Sequence, residues 1–200
     1  MIHPDTELRF VNSEKGYGVF AKADIPKGTI VYVQDELDIK IPPDSPLLKK
    51  PEYRDLIKCY SYFERGHYVI SWDIEKYLNH SCDSNRLTTG YGFEIAIRDI
   101  QEGEELTDDY GALNMDYDFQ CRCGSQNCRG RINRKDFDYH VDAWDEKIQK
   151  AFDMFKMVEQ PLITFVDSAT YNALMKYLNT GRDYRSVSCI QHPLESAIIA

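Results

Sequence analysis

Residues 121–130, CRCGSQNCRG, set Cys121, Cys123 and Cys128 in a C-x-C-x4-C spacing, with Gly124 available for a tight turn about a metal. A structural zinc is closed by four Cys or His ligands in a tetrahedron, so this triplet needs a fourth ligand from elsewhere. Small residues surround the thiols and no apolar period runs through the segment. It cannot form a core by itself, and metal binding would supply its folding free energy. The plain alternative is three free thiols on a loop. Three further cysteines are candidates for the fourth place: Cys59, Cys82 and Cys189. Cys59 lies in a strand-like aromatic run and Cys189 far along the chain. Cys82 lies in NHSCDSN, residues 79–85, too polar for a core helix or a regular strand.

The elements that must position these groups fall into two parts. VNSEKGYGVFA and IPKGTIVYV read as short strands joined by glycine turns, and PPDSPLLKKP, residues 42–51, reads as a proline-rich loop. Residues 59–70 read as two strands turning near Gly66. GFEIAIRDI is a strand, followed by a QEGEE turn and LTDDYG. After residue 135 the period becomes helical. Trp144, Ile148, Ala151, Phe155 and Val158 line one face, with Asp142 as N-cap and Pro161 as stop, and Tyr171, Leu174, Met175 and Leu178 precede Gly181. The expected class is α+β: a β-rich core to about residue 120, then helices whose apolar stripes pack on it.

Composition bounds the function. A net charge of −9 over 200 residues opposes a general nucleic-acid binder. The N-terminus carries no basic region followed by an apolar stretch, and no apolar run approaches bilayer length, so an intracellular chain, cytoplasmic or nuclear, with reduced thiols and no membrane partner is expected. Acid is concentrated between Arg98 and Arg122: Asp99, Glu102, Glu104, Glu105, Asp108, Asp109, Asp116 and Asp118. Such a run is either a solvated face or a field that attracts a cationic peptide.

NHSCDSN, IAIRDIQEGEELTDDYG and CRCGSQNCRG, in that order, preceded by KGYGVFAKADIPKGTIV, resemble the SET-domain protein-lysine methyltransferases with a post-SET zinc segment. The resemblance spans about residues 8–132 and its four blocks together are specific. It implies a β-rich SET fold of short strands with a knot-like threaded core over residues 8–112, a post-SET zinc segment over 117–132, and a C-terminal helical extension over 133–200. It also implies methyl transfer from S-adenosylmethionine to a lysine in a protein substrate, with a basic segment around that lysine. Cys82 becomes the fourth ligand beside Cys121, Cys123 and Cys128 on one structural Zn2+. Lys15, Gly16, Tyr17, Gly18, Asn79 and His80 become cofactor contacts, the glycines letting backbone approach and His80 acting mainly through its backbone. Tyr110 and Tyr60 become the catalytic tyrosines, with Tyr62 close behind Tyr60.

Two departures stand out. Asp108 occupies a position where many members of the family carry Phe or Tyr; in an extended segment it shares a face with Tyr110 and either meets the amine or turns to solvent. Only SWDIEKYL separates Ile70 from Asn79, so the substrate-binding insert is short. Asp108 gives weight to a rival reading, a catalytically idle SET-fold module holding a cationic tail. A third reading, a zinc-stabilised nucleic-acid module, rests on Arg122, Arg129, Arg131, Arg134 and Lys135. The apolar end SAIIA can pack on this or another chain.

Overall fold

The computed structural model describes residues 1–115 and 117–192; Asp116 and the terminal SAIIA lie outside the described residues. In chain order the elements are β1 (Thr6–Asn12), β2 (Gly16–Ala21), β3 (Ile30–Val33), β4 (Ile39–Ile41), α1 (Pro51–Tyr60), β5 (Tyr62–Glu64), β6 (His67–Ile70), β7 (Asn79–His80), β8 (Arg86–Thr88), β9 (Phe93–Ala96), β10 (Glu105–Asp108), β11 (Phe119–Gln120), β12 (Arg131–Ile132), α2 (Asp136–Phe152) and α3 (Ser168–Thr180). The strands form small sheets in the orders β1-β2-β10-β7, β3-β9-β8, β4-β6-β5 and β11-β12.

One pairing carries the architecture. β10 runs antiparallel to β2, with Leu106 opposite Val19, and parallel to β7, with Thr107 opposite Asn79 and Asp108 opposite His80. Two polar segments far apart in sequence thereby lie side by side. Behind them Val19, Ala21, Val31, Ala96, Ile100 and Leu106 form one apolar core. On the other face of the β3-β9-β8 sheet, Ile30, Leu87, Phe93 and Ile95 pack against Phe137, Trp144, Ile148 and Phe152 of α2 and Leu174 of α3. Trp144, Ile148 and Ala151 of α2 and Leu174 of α3 are thus buried as the periodicity predicts, whereas Tyr171 is exposed.

Three local expectations are corrected. PEYRDLIKCY forms α1, because Pro51 sits in the first turn, where a missing N–H leaves no bond unmade and the fixed φ suits a helix. Tyr60 therefore ends a helix and does not open a strand; β5 begins at Tyr62. Helix α2 starts at Asp136, so Asp142 is interior and not a cap, and it ends at Phe152, well before Pro161. Helix α3 follows the expected outline: Asp167 accepts from the Ala169 and Thr170 N–H groups, and Gly181 closes the helix at φ 67°. Among the described residues no helix is long and apolar enough to cross a membrane.

Candidate active site and thiol cluster

The thiols converge. Cys82 Sγ lies 3.8 Å from Cys121 Sγ, and Cys128 Sγ lies 3.6 Å from Cys121 Sγ. Four thiolates held at about 2.3 Å around a tetrahedral zinc stand about 3.8 Å apart, so these separations fit one ion. Backbone N–H groups already point at the sulfurs: Arg129 to Cys82 at 3.3 Å, Gly130 to Cys128 at 3.4 Å and Cys82 to Cys123 at 3.5 Å. Such donors favour thiolate. Cys59 and Cys189 are exposed; Cys59 lines a different cavity, and the Cys189 thiol donates to Gly90 O.

His80 joins the thiols in one grouping, in which a ring nitrogen and the sulfurs of Cys82, Cys121 and Cys123 all lie within 4.8 Å of one another. His80 Nδ1 lies 3.1 Å from the Tyr110 backbone nitrogen and 3.1 Å from Asp108 O, so the ring is held through Nδ1 in either tautomer. Its Nε2 lies 3.3 Å from Cys82 Sγ. Cys128 Sγ, 3.6 Å from Cys121 Sγ, also stands at the spacing of thiol ligands on one ion. The ring also ties the thiol cluster to the backbone of Tyr110.

A cleft of about 400 Å³ opens beside the cluster, lined by Glu14, Lys15, Asn79, His80, Tyr110, Phe119 and Arg122 among others. Of the expected cofactor contacts, Lys15, Asn79 and His80 line it, whereas Gly16, Tyr17 and Gly18 do not. A Cβ on Gly18 would stand 2.5 Å from Glu105 Oε1 and 3.0 Å from Asn79 Nδ2. Gly18 thus makes room for the Asn79 amide, which donates to Tyr17 O at 3.0 Å and Glu105 Oε1 at 2.7 Å. Gly16 has φ +73° and open space around it, so its need is backbone conformation.

On the other side of Tyr110 lies a narrower cavity of about 70 Å³, lined by Tyr60, Tyr62, Leu78, Leu113, Met115 and Tyr117, with Glu75, Glu94 and Asp108 at its base. Among the described residues, Tyr110 alone borders both this channel and the cleft. Its hydroxyl donates to Leu78 O, and burial, with Asp108 nearby, pushes its phenol pKa far up, so it stays protonated. Tyr60 borders the same cavity, edge-on to Tyr77 at 5.5 Å.

Asp108 takes neither expected course. It is buried and receives Arg86 Nε at 2.9 Å and Nη2 at 2.8 Å. Arg86, fully buried in β8, also grips both oxygens of Glu75. Burial pushes the Glu75 carboxyl up to about 7 against the pull of Arg86. The acidic run is therefore not one solvated face: Asp109 is buried with Arg129, Glu104 pairs with Arg98 and Asp118 with Arg131. Much of the basic run is likewise engaged, since Arg129 also meets Asp136 and Arg134 donates to His192 O. The nucleic-acid reading thereby loses Arg129, Arg131 and Arg134 as free cations.

Sequence reasoning missed Phe119, Glu94, Arg86 and Tyr117. Glu94 left one trace, a single charge inside the apolar run of GFEIAIRDI. The others left none.

Comparisons with known proteins meet this geometry. A family model described as SET domain matches residues 16–111. The chain is 33% identical over 142 residues to histone-lysine N-methyltransferase Set2 of Drosophila melanogaster, covering 62% of this chain and 6% of that protein. It is 28% identical over 150 residues to histone-lysine N-methyltransferase mes-4 of Caenorhabditis elegans, covering 60% and 16%. It is 28% identical over 151 residues to putative histone-lysine N-methyltransferase ASHH4 of Arabidopsis thaliana, covering 64% and 40%. The match therefore takes in well under two thirds of each of these relatives.

Proposed function

Residues 16–111 make this chain a member of the SET-domain family, and from that premise we propose that it transfers a methyl group from S-adenosylmethionine to a lysine side chain in a protein, a histone tail or similarly basic peptide. The observation that carries the proposal is Tyr110 standing between a wide polar cleft and a narrow aromatic channel. Methyl transfer to an amine is an in-line displacement, which needs donor and acceptor to approach from opposite sides through one aperture.

Lys15, Asn79, Phe119 and the backbone near His80 would hold the cofactor, which when bound supplies a methyl carbon made electrophilic by its sulfonium. The channel does the rest. Free lysine has a pKa of about 10.4 and must lose its proton to attack; the walls of Tyr60, Tyr62, Leu78 and Tyr117 disfavour the charged form. Because the Tyr110 hydroxyl donates to Leu78 O, its lone pairs face the amine and orient one N–H. A structural Zn2+ on Cys82, Cys121, Cys123 and Cys128 would pin residues 117–132 as the wall of the cleft. We divide the chain into a SET segment (8–112), a zinc segment (117–132) and a helical extension (133–200). The parallel β7–β10 pairing supports threading of residues 79–85 beneath the 106–110 segment. The names of the relatives support nuclear residence and a histone substrate.

The rival, an idle module, loses weight, since the Asp108 carboxylate is neutralised by Arg86 and is not a free charge in the channel. The test is incubation with labelled S-adenosylmethionine and core histones, read by mass spectrometry. Wild type should label lysine, and Tyr110→Phe should slow transfer about 10²-fold with folding intact. Full activity in that variant removes Tyr110 from the mechanism. Peptide binding without label transfer by wild type decides for the idle module.

A further inference from the structure

Methyl transfer to lysine leaves one proton to be placed. The target side chain reaches the channel as an ammonium and attacks only as an amine, so an N–H bond must break before or during the reaction. Resting on the lysine reading above, we propose that Glu94 is the acceptor of that proton, and that it discharges it through a small cavity behind the channel.

The argument begins with valence. Arg86 Nη2 carries two hydrogens, and both are spoken for, by Glu75 and by Asp108 Oδ2. Glu94 Oε2 stands 2.9 Å from the same nitrogen, close enough for Coulombic attraction, yet it has no hydrogen-bond partner. A buried carboxylate oxygen without a donor is costly. Glu94 is only 7% exposed, and its side chain borders the channel in company with Tyr110 and Tyr62. Its free oxygen is therefore unpaired beside the space where an amine would enter.

The charges facing Glu94 are Arg86 from β8, Asp108 from β10 and Glu75 from the turn before β7; the phenols of Tyr62 and Tyr110 share its cavity. Three carboxyls, within 4.8 Å of one another, surround one guanidinium. Burial above all raises the Glu94 carboxyl well above the ordinary range, so its ionised form binds a proton more tightly than an ordinary carboxylate does. In the step itself, which needs Glu94 ionised, the Nζ–H bond breaks, its electron pair stays on nitrogen as the attacking lone pair, and the proton forms an O–H bond on the Glu94 carboxylate.

An exit exists. Glu94 and Tyr62 also line a cavity of about 20 Å³, room for one water. That cavity shares Glu64, Gly92 and Phe93 with an open groove of about 530 Å³ on the far surface, and the groove, though larger than the cleft, lies away from Tyr110. Gln34 bridges the path, donating to the Tyr62 hydroxyl at 3.0 Å and to Glu64 Oε2 at 3.2 Å.

The experiment compares wild type with Glu94→Gln in the full chain. It uses a lysine peptide and the same peptide bearing a less basic thioether analogue of lysine. The glutamine variant should lose about 10²-fold in kcat on lysine, lose the rise of kcat with pH that ionisation of Glu94 imposes, and recover most of the deficit on the less basic amine. Thermal unfolding and cofactor binding measured alongside should match wild type. An unchanged kcat and pH profile overturns the assignment, as does a loss that the less basic amine does not rescue, which marks a packing role. If wild type methylates lysine while the variant behaves in either of those ways, this inference alone falls; if wild type methylates neither amine, the enzymatic reading falls with it.

Discussion

At the scale of the residue, the buried guanidinium of Arg86 governs the site. Replacing a buried ion pair by apolar groups is often neutral, but removing one partner leaves the other stranded, at about 3–5 kcal/mol. Here three carboxyls depend on one cation, so Glu75 relieves the cluster by keeping a proton. That gives a pH dependence of unusual sign. Glu75 titrates near 4.5 when exposed and at about 7 when folded, because burial outweighs the pull of Arg86. Between those values the folded chain binds more protons than the unfolded one. Stability therefore falls as pH rises from about 4.5 to 7, by up to about 1.4 kcal/mol per pH unit for one proton. Denaturant titrations of metal-saturated protein across that window should show the slope, and Glu75→Gln should flatten it. Parallel curves for the two proteins would refute the assignment.

At the scale of the element, the segment from Phe119 to Ile132 holds together by little besides its thiols. Its two strands pair over only two residues each, and only Cys121 and Ile132 within it are buried. Bound metal would supply what packing does not. Purified protein should carry one zinc; Cys82→Ser should release it and weaken cofactor binding at least tenfold, whereas Cys59→Ser and Cys189→Ser should retain it. Full zinc in the Cys82 variant would move the fourth ligand elsewhere. How far the sequence discloses such elements depends on the range of the interactions that make them. The thiol triplet, the Gly181 stop and the stripe on α3 are local patterns and can be read directly. Helix α1 cannot, because Pro51 looks the same whether it breaks a helix or begins one. The fate of Asp108 is hidden for another reason: its partner lies on a different strand, and residues 86 and 108 carry no local sign that they face each other. The tight fit at Gly18 is hidden in the same way, since it meets Asn79 and Glu105 through strand pairing and not through spacing along the chain.

At the scale of the whole molecule, the question is whether residues beyond 132 are an appendage. Asp109 argues that they are part of the site. It precedes Tyr110, caps the turn at Gly111, pairs with Arg129 of the thiol segment and accepts the indole N–H of Trp144 in α2 at 3.0 Å. One carboxylate thus fastens the candidate catalytic tyrosine, the metal segment and the C-terminal helices to one another. The apolar core says the same. Ile30, Leu87, Phe93 and Ile95, each at most 1% exposed, are covered by Phe137, Trp144, Ile148, Phe152 and Leu174. Uncovering a large apolar side chain forfeits about 1.5–3 kcal/mol, so four such exposures approach the entire 5–15 kcal/mol, roughly, that keeps a typical domain folded. A chain ending at residue 132, which retains every residue proposed for cofactor, lysine and zinc, should therefore fail to fold: size-exclusion chromatography should show aggregate and calorimetry no cooperative transition. A monodisperse, cooperatively melting product that still binds S-adenosylmethionine would make the helices dispensable.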